Sequence, residues 1–208
     1  MRSKLLPPPL AVLSLLVFSA FSARSQTVVT FDDISNIGNS AIITNGYQGF
    51  NWTNFWVLNA FTQTANNGLS GYYYGMVSPS NVAFNGSGFP SEIDSPGTNF
   101  NFLSAYFTGA WSSNLNIEVQ GFRDTNLVYD ETKVASATNP TLFTFNYLDI
   151  NRLYFDSYGG ENAGFASGEG ENFVMDNFEF EFIPEPSTFL LAALGGVSLI
   201  AFLRRKRP

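Results

Sequence analysis

The stretch FVMDNFEFEF, residues 173–182, decides the fold class. Phe178, Phe180 and Phe182 fall on alternate positions, with Glu179 and Glu181 between them. Alternation at period two places the rings on one face of a strand and the carboxylates on the other, the pattern of a sheet half in a core and half in water. Working outward, Leu115–Gln120 (LNIEVQ) alternates in the same way. Shorter apolar runs at Thr27–Phe31, Ala41–Thr44, Asn54–Asn59, Tyr72–Val77, Val82–Asn85, Phe100–Thr108, Leu127–Asp130, Thr141–Asn146 and Arg152–Asp156 read as further strands. Asn45-Gly46, Asn67-Gly68, Asn85-Gly86, Pro96-Gly97, Asn139-Pro140 and Gly159-Gly160 punctuate them as turns. Short strands separated by such turns predict an all-β domain, a two-sheet antiparallel β-sandwich of jelly-roll type. The 22 phenylalanines are its expected core filling.

The chain contains no cysteine and no histidine. That excludes a disulfide scaffold, a Cys nucleophile, a Ser-His-Asp triad and any His-ligated metal centre. Three groupings remain that carry chemistry. The first is aromatic: Trp52 and Trp56 lie in a segment interleaved with Asn45, Gln48, Asn51 and Asn54, and Tyr72, Tyr73 and Tyr74 follow. Rings that stack on sugar faces beside amides that read hydroxyls make Trp52, Trp56, Tyr72 and Tyr74 the expected ligand-binding residues. In a strand at least one of the three tyrosines must face water, because side chains alternate. The second grouping is Asp32 and Asp33 near the start of the domain and Asp176 near its end. First and last strands of a jelly roll commonly lie side by side, and similar short patterns in sandwich domains hold a structural calcium, so these three are the expected metal ligands. The third is the set of loop acids, Glu92, Asp94, Asp130, Glu131, Glu161, Glu169 and Glu171. Two carboxylates facing each other across a cleft would make the domain a glycan-active hydrolase.

The two ends of the chain read differently from its middle. Arg2 and Lys4 precede an apolar stretch, Leu10–Ala20, and Ala23 and Ser25 supply small residues for cleavage after Ser25. Residues 1–25 are therefore expected to be a secretory signal peptide, and 26–182 the sandwich domain. Between leader and tail only Arg123, Lys133 and Arg152 are basic, against sixteen acidic residues, a net charge near −13. Such a domain repels nucleic acid and anionic surfaces. At the other end Phe189–Leu203 forms an apolar run of 15 residues before Arg204, Arg205, Lys206 and Arg207. With Thr188 and a snorkelling arginine stem it is predicted to form a single transmembrane helix over 188–203, with the basic tail 204–208 in the cytoplasm.

The triplet Pro184-Glu185-Pro186, the apolar helix with Gly195-Gly196, and the terminal basic cluster resemble the PEP-CTERM sorting signal over residues 183–208. Ile183 stands where that family usually has valine. The resemblance implies an exported protein of a Gram-negative bacterium. It also implies passage through the secretion machinery, transient membrane anchoring and processing by an exosortase. Residues 26–182 are similar to domains that often precede such signals, to which no activity attaches. Sequence thus points to a non-enzymatic protein of the cell surface or extracellular matrix, without a cofactor beyond structural calcium and with extracellular polysaccharide as its expected partner. The hydrolase is the alternative.

Overall fold

The computed structural model describes residues 25–166, 168–183, 194–196 and 198. In chain order the strands are β1 (Gln26–Val29), β2 (Ala41–Ile42), β3 (Asn51–Thr53), β4 (Phe55–Asn59), β5 (Asn81–Asn85), β6 (Ser91–Asp94) and β7 (Phe100–Gly109). They continue with β8 (Ser112–Ser113), β9 (Leu115–Arg123), β10 (Asn126–Ala135), β11 (Thr141–Ile150), β12 (Arg152–Tyr158), β13 (Glu161–Asn162) and β14 (Phe173–Phe182). Two short helices, α1 (Ala60–Asn67) and α2 (Gly71–Tyr74), lie between β4 and β5. A seven-stranded sheet runs β11-β7-β14-β5-β4-β2, with β1 also paired to β14. A five-stranded sheet runs β10-β9-β12-β6-β3, and β8 pairs with β13. The pairings are antiparallel.

The two sheets bury one another through phenylalanine. Phe55, Phe100, Phe102, Phe107, Phe173 and Phe178 from the larger sheet meet Ile93, Ile117, Val119, Leu153 and Phe155 from the smaller in one cluster. Edge-to-face and offset ring pairs run through it, such as Phe55 on Phe155 at 5.5 Å and Phe102 on Phe178 at 5.0 Å. These are the arrangements that ring quadrupoles favour, so the rings fix geometry as well as excluding water.

Strand β14 shows how the sequence sets the faces. Phe173 and Met175 point into the core, and so do Phe178 and Phe180. The inward positions change parity across Asp176-Asn177, where the register against β7 shifts and Asn177 takes φ 49°. This is a β-bulge, with asparagine tolerating the left-handed conformation. Its effect is to turn two consecutive side chains, Asp176 and Asn177, toward the outer face of the larger sheet. Strand β1 lies beside the far half of β14, with Gln26 opposite Glu181 and Val29 opposite Phe178. The first and last strands are neighbours, as expected.

A second, smaller core covers part of that outer face. Leu58, Tyr72, Val82, Ala110, Trp111 and Val174 form it, with Met76, Phe84 and Phe165 packed on it. Here the structure corrects the expected strand at Tyr72–Val77. Residues Gly71–Tyr74 are a helical turn, because the segment must follow the end of β7 closely. Gly71 N–H donates to Ala110 O at 2.8 Å, and a Cβ at Gly71 would stand 1.9 Å from Gly109 O. The expected signal peptide and the sorting triplet lie outside the described residues. So does most of the expected helix 188–203, of which residues 194–196 and 198 are described and helical. Among the described residues no helix is long and apolar enough to cross a membrane.

Candidate functional site

Of the four expected sugar-binding rings, the structure places two in cores. Trp52 is 4% exposed and packs against Phe31, Tyr47, Phe50, Phe55 and Phe178, while its indole N–H donates to Tyr47 O at 3.0 Å. Tyr72 is 5% exposed, lies edge-on to Phe84 and Trp111, and burial pushes its phenol well above the usual tyrosine range. Both are interior residues. Trp56 is half-buried beside Gly86 on β4. The four rings are therefore not one platform.

A different row of rings forms at the surface. Helix α1 carries Phe61, α2 carries Tyr73 and Tyr74, and the loop before β14 carries Phe165. Their centroids follow one another at 6.4 Å (Phe61 to Tyr73), 5.7 Å (Tyr73 to Tyr74) and 6.0 Å (Tyr74 to Phe165). Phe61 is 49% exposed and Tyr73 36%, with Leu69 exposed beside them. The helical turn makes the row: with Tyr72 turned into the small core, Tyr73 and Tyr74 fan out over its rim. Gln63 Oε1 and Thr64 Oγ1 on α1, and Ser70 Oγ just before α2, have no hydrogen-bond partner among the described residues. Sequence reasoning named Tyr74 and required one exposed tyrosine of the three. It missed Phe61, whose only signal is the helix flanked by Asn59 and Gly68, and Phe165, which lies in a Gly-rich loop.

The three aspartates have separate tasks. Asp176 is fully buried. Its Oδ2 accepts from Val77 N–H at 2.7 Å and Ser78 N–H at 2.8 Å, and its Oδ1 from Ser78 Oγ at 3.0 Å and Asn177 N–H at 2.7 Å. Four donors fill the oxygens, so a cation there would have to displace them. Burial pushes this carboxyl up to about 6, and the donors hold it back from a larger rise. Asp32 accepts from Asn81 N–H at 2.8 Å, and Asp33 from Tyr47 Oη–H at 2.7 Å. Among the described residues no group of three or more acidic side chains converges on a metal-sized space. The expected gathering of Asp32, Asp33 and Asp176 therefore does not form.

Three open pockets bear on chemistry. One of about 280 Å³ is polar and is lined by Asp32, Asn36, Asn59, Thr62, Ser80 and Asn81 among others. A second, of about 460 Å³, lies between Ser87-Gly88-Phe89 and Glu169-Gly170-Glu171. Its two carboxylates come from one segment, two residues apart, instead of facing each other across a cleft. The third, of about 170 Å³, opens on the outer face of the larger sheet between Val28, Ser104, Tyr106, Leu142, Asn177 and Glu179.

Residues 182–207 match the PEP-CTERM protein-sorting motif. This is an exported protein that carries a PEP-CTERM sorting signal. The signal begins at Phe182, the last residue of β14, so the sorting segment follows the sheet without a spacer. No curated protein matches the chain in sequence. Among solved structures the PEP-CTERM protein is similar to a DUF4465 family protein from Bacteroides ovatus, at 9% identity and a TM-score of 0.46, over 76% of this chain and 99% of that one. It is also similar to TmCBM61 in complex with β-1,4-galactotriose, at 8% identity and a TM-score of 0.35, over 68% of this chain and 94% of that one.

Proposed function

We propose that the domain is a non-enzymatic glycan-contacting module, displayed at the cell surface or in the extracellular matrix after an exosortase-type membrane enzyme acts on the sorting signal. We further read its two sheets as a jelly roll, from the side-by-side first and last strands. The observation that carries the binding role is the ring row Phe61–Tyr73–Tyr74–Phe165, exposed at Phe61 and Tyr73 and half-buried at Tyr74 and Phe165. An exposed row of aromatic rings suits stacking on the C–H faces of successive sugars. The acidic surface sets the ligand's charge: a net near −13 repels uronate-rich or sulfated chains and leaves neutral or cationic ones.

Affinity electrophoresis of the full-length chain in neutral polysaccharide gels tests this. Retardation is expected for the native sequence. It should be lost in the double variant F61A/Y73A, whose melting temperature should stay close to the original because neither ring belongs to a core cluster. Equal mobility of the two proteins in every neutral polysaccharide would refute the role of the rings. Release of reducing sugar by the native protein, lost on changing Glu169 or Glu171, would replace it with the hydrolase.

A further inference from the structure

The geometry points to a second site on the outer face of the larger sheet, a subsite for one amine-bearing sugar residue, with the Glu179 carboxylate as the partner of its ammonium group. The pocket lies where β1, β14, β7 and β11 run side by side, with Val28 opposite Glu179, Glu179 opposite Ser104 and Tyr106 opposite Leu142. It is separate from the ring row, and none of the rings in that row lines it.

Three observations define its chemistry. First, the bulge at Asp176-Asn177 delivers Asn177 to this face, and Asn177 Oδ1 is a buried acceptor with no donor among the described residues. Bulges recur beside functional sites because they re-aim a side chain, and a buried acceptor that is unpaired among the described residues is costly unless a ligand or water satisfies it. Second, Glu179 is held in place: Gln26 Nε2 donates to Oε1 and Ser104 Oγ to Oε2. The carboxylate is fixed at the pocket with acceptor capacity to spare. Third, no basic side chain of the domain serves it. Arg123 pairs with Asp149, Lys133 with Glu131 and Arg152 with Glu92. All three cations are committed elsewhere, and the charge at the pocket is open to an external one.

Leu142 and Val28, each 48% exposed, and half-buried Tyr106 supply an apolar wall beside these acceptors. A ligand for this pocket carries donors and a positive charge on one edge and C–H groups on a face. An aminohexose with a free amine has that distribution. A neutral hexose lacks the charge, an N-acetylated one masks it, and a uronate reverses it. At about 170 Å³ the pocket is below the usual range of about 300–1,000 Å³ for whole small-molecule ligands, so it takes one residue of a chain.

The test is calorimetric titration of the full-length chain in detergent with a glucosamine tetramer, with the N-acetylglucosamine tetramer as control. The native chain should bind the amine form and bind the acetylated form at least tenfold more weakly. Added salt should weaken the amine complex, as for any partly exposed ion pair. Glu179→Gln should lower affinity for the glucosamine tetramer about tenfold or more. Leu142→Lys should do the same by placing a rival ammonium at the rim, and it covers the case in which Glu179→Gln disturbs β1. Asp156→Asn, on the smaller sheet, removes the same charge elsewhere and should leave binding unchanged. The preference for the amine form over the acetylated form should persist in F61A/Y73A, which separates this site from the ring row. Failure of the native chain to bind the amine form overturns the proposal. So does equal loss in Asp156→Asn and Glu179→Gln, which would make the effect one of overall charge.

Discussion

Removing the Asp176 carboxylate is expected to destabilise the domain in a pH-dependent way. The carboxyl is raised from 3.8 to about 6 by burial. One pKa unit is worth about 1.4 kcal/mol, so the charged form costs the folded state roughly 3 kcal/mol relative to the unfolded chain. The folded value exceeds the unfolded one, so between about pH 4 and 6 the native state binds the extra proton. This group's contribution therefore falls as pH rises through that window, and the domain gains up to that amount between pH 7.5 and pH 4. Asp176→Ala leaves Val77 N–H, Ser78 N–H, Ser78 Oγ–H and Asn177 N–H without their acceptor. At about 1–3 kcal/mol for each donor that stays buried, a net loss of about 3–5 kcal/mol is expected near neutral pH. Asp176→Asn keeps one acceptor oxygen, loses the charge, and should fall between the two. Urea midpoints for the three proteins at pH 4.5, 6 and 7.5 read this directly. The native protein should lose stability from pH 4.5 to 7.5 relative to Asp176→Asn, and the deficit of Asp176→Ala should be the same in millimolar calcium and in chelator. Parallel pH profiles for native and Asn proteins would refute the buried-carboxyl argument. A deficit that appears only in calcium would show that the four donors are not the partners of Asp176 in solution.

Trp52→Ala should cost about 3–5 kcal/mol in a urea titration, the range for emptying a core position of a large aromatic, and should not act selectively on glycan retention. Gly71→Ala should prevent the α2 turn from docking on the end of β7, since its Cβ would meet Gly109 O at 1.9 Å. Loss of Trp111 protection from fluorescence quenching should report that, whereas Gly68→Ala, with open space around it, should show only the smaller cost of its positive φ.

Strands whose faces are set by water were legible in the residues themselves. Leu115, Ile117 and Val119 on β9, and Phe178 and Phe180 on β14, are buried as their alternation requires. What sequence could not show was set by contacts distant along the chain. Tyr72-Tyr73-Tyr74 has strand propensity, yet it turns helically because Gly71 must approach Gly109. Helix α1 did leave local signals, an Asn59 side chain capping Thr62 N–H and a Gly68 stop, but its eight residues are too few for a strong apolar period. Trp52 looked like a platform residue because amides surround it. Two of those amides serve the backbone: Asn45 Oδ1 accepts from Trp52 N–H, and Asn54 Nδ2 donates to Gly86 O, while the ring itself enters the core. The bulge at Asp176-Asn177 was visible only as a fault in the alternation of FVMDNFEFEF, the break that carries both residues to the outer face.

The pairing of β1 with β14 has a mechanical consequence. Gln26 and Glu181 are register partners, so the chain enters and leaves the domain at the same pole. Strand β7 runs from Phe100, beside Phe182, to Gly109, beside Phe173 and the α2 turn. Its ten residues set a separation of about 30 Å between that pole and the one bearing Tyr73. Gln26 and Glu181 therefore lie at the pole opposite Tyr73. The same closeness of ends makes residues 26–182 a unit that a short linker could close into a ring, or that a loop of another protein could accept whole.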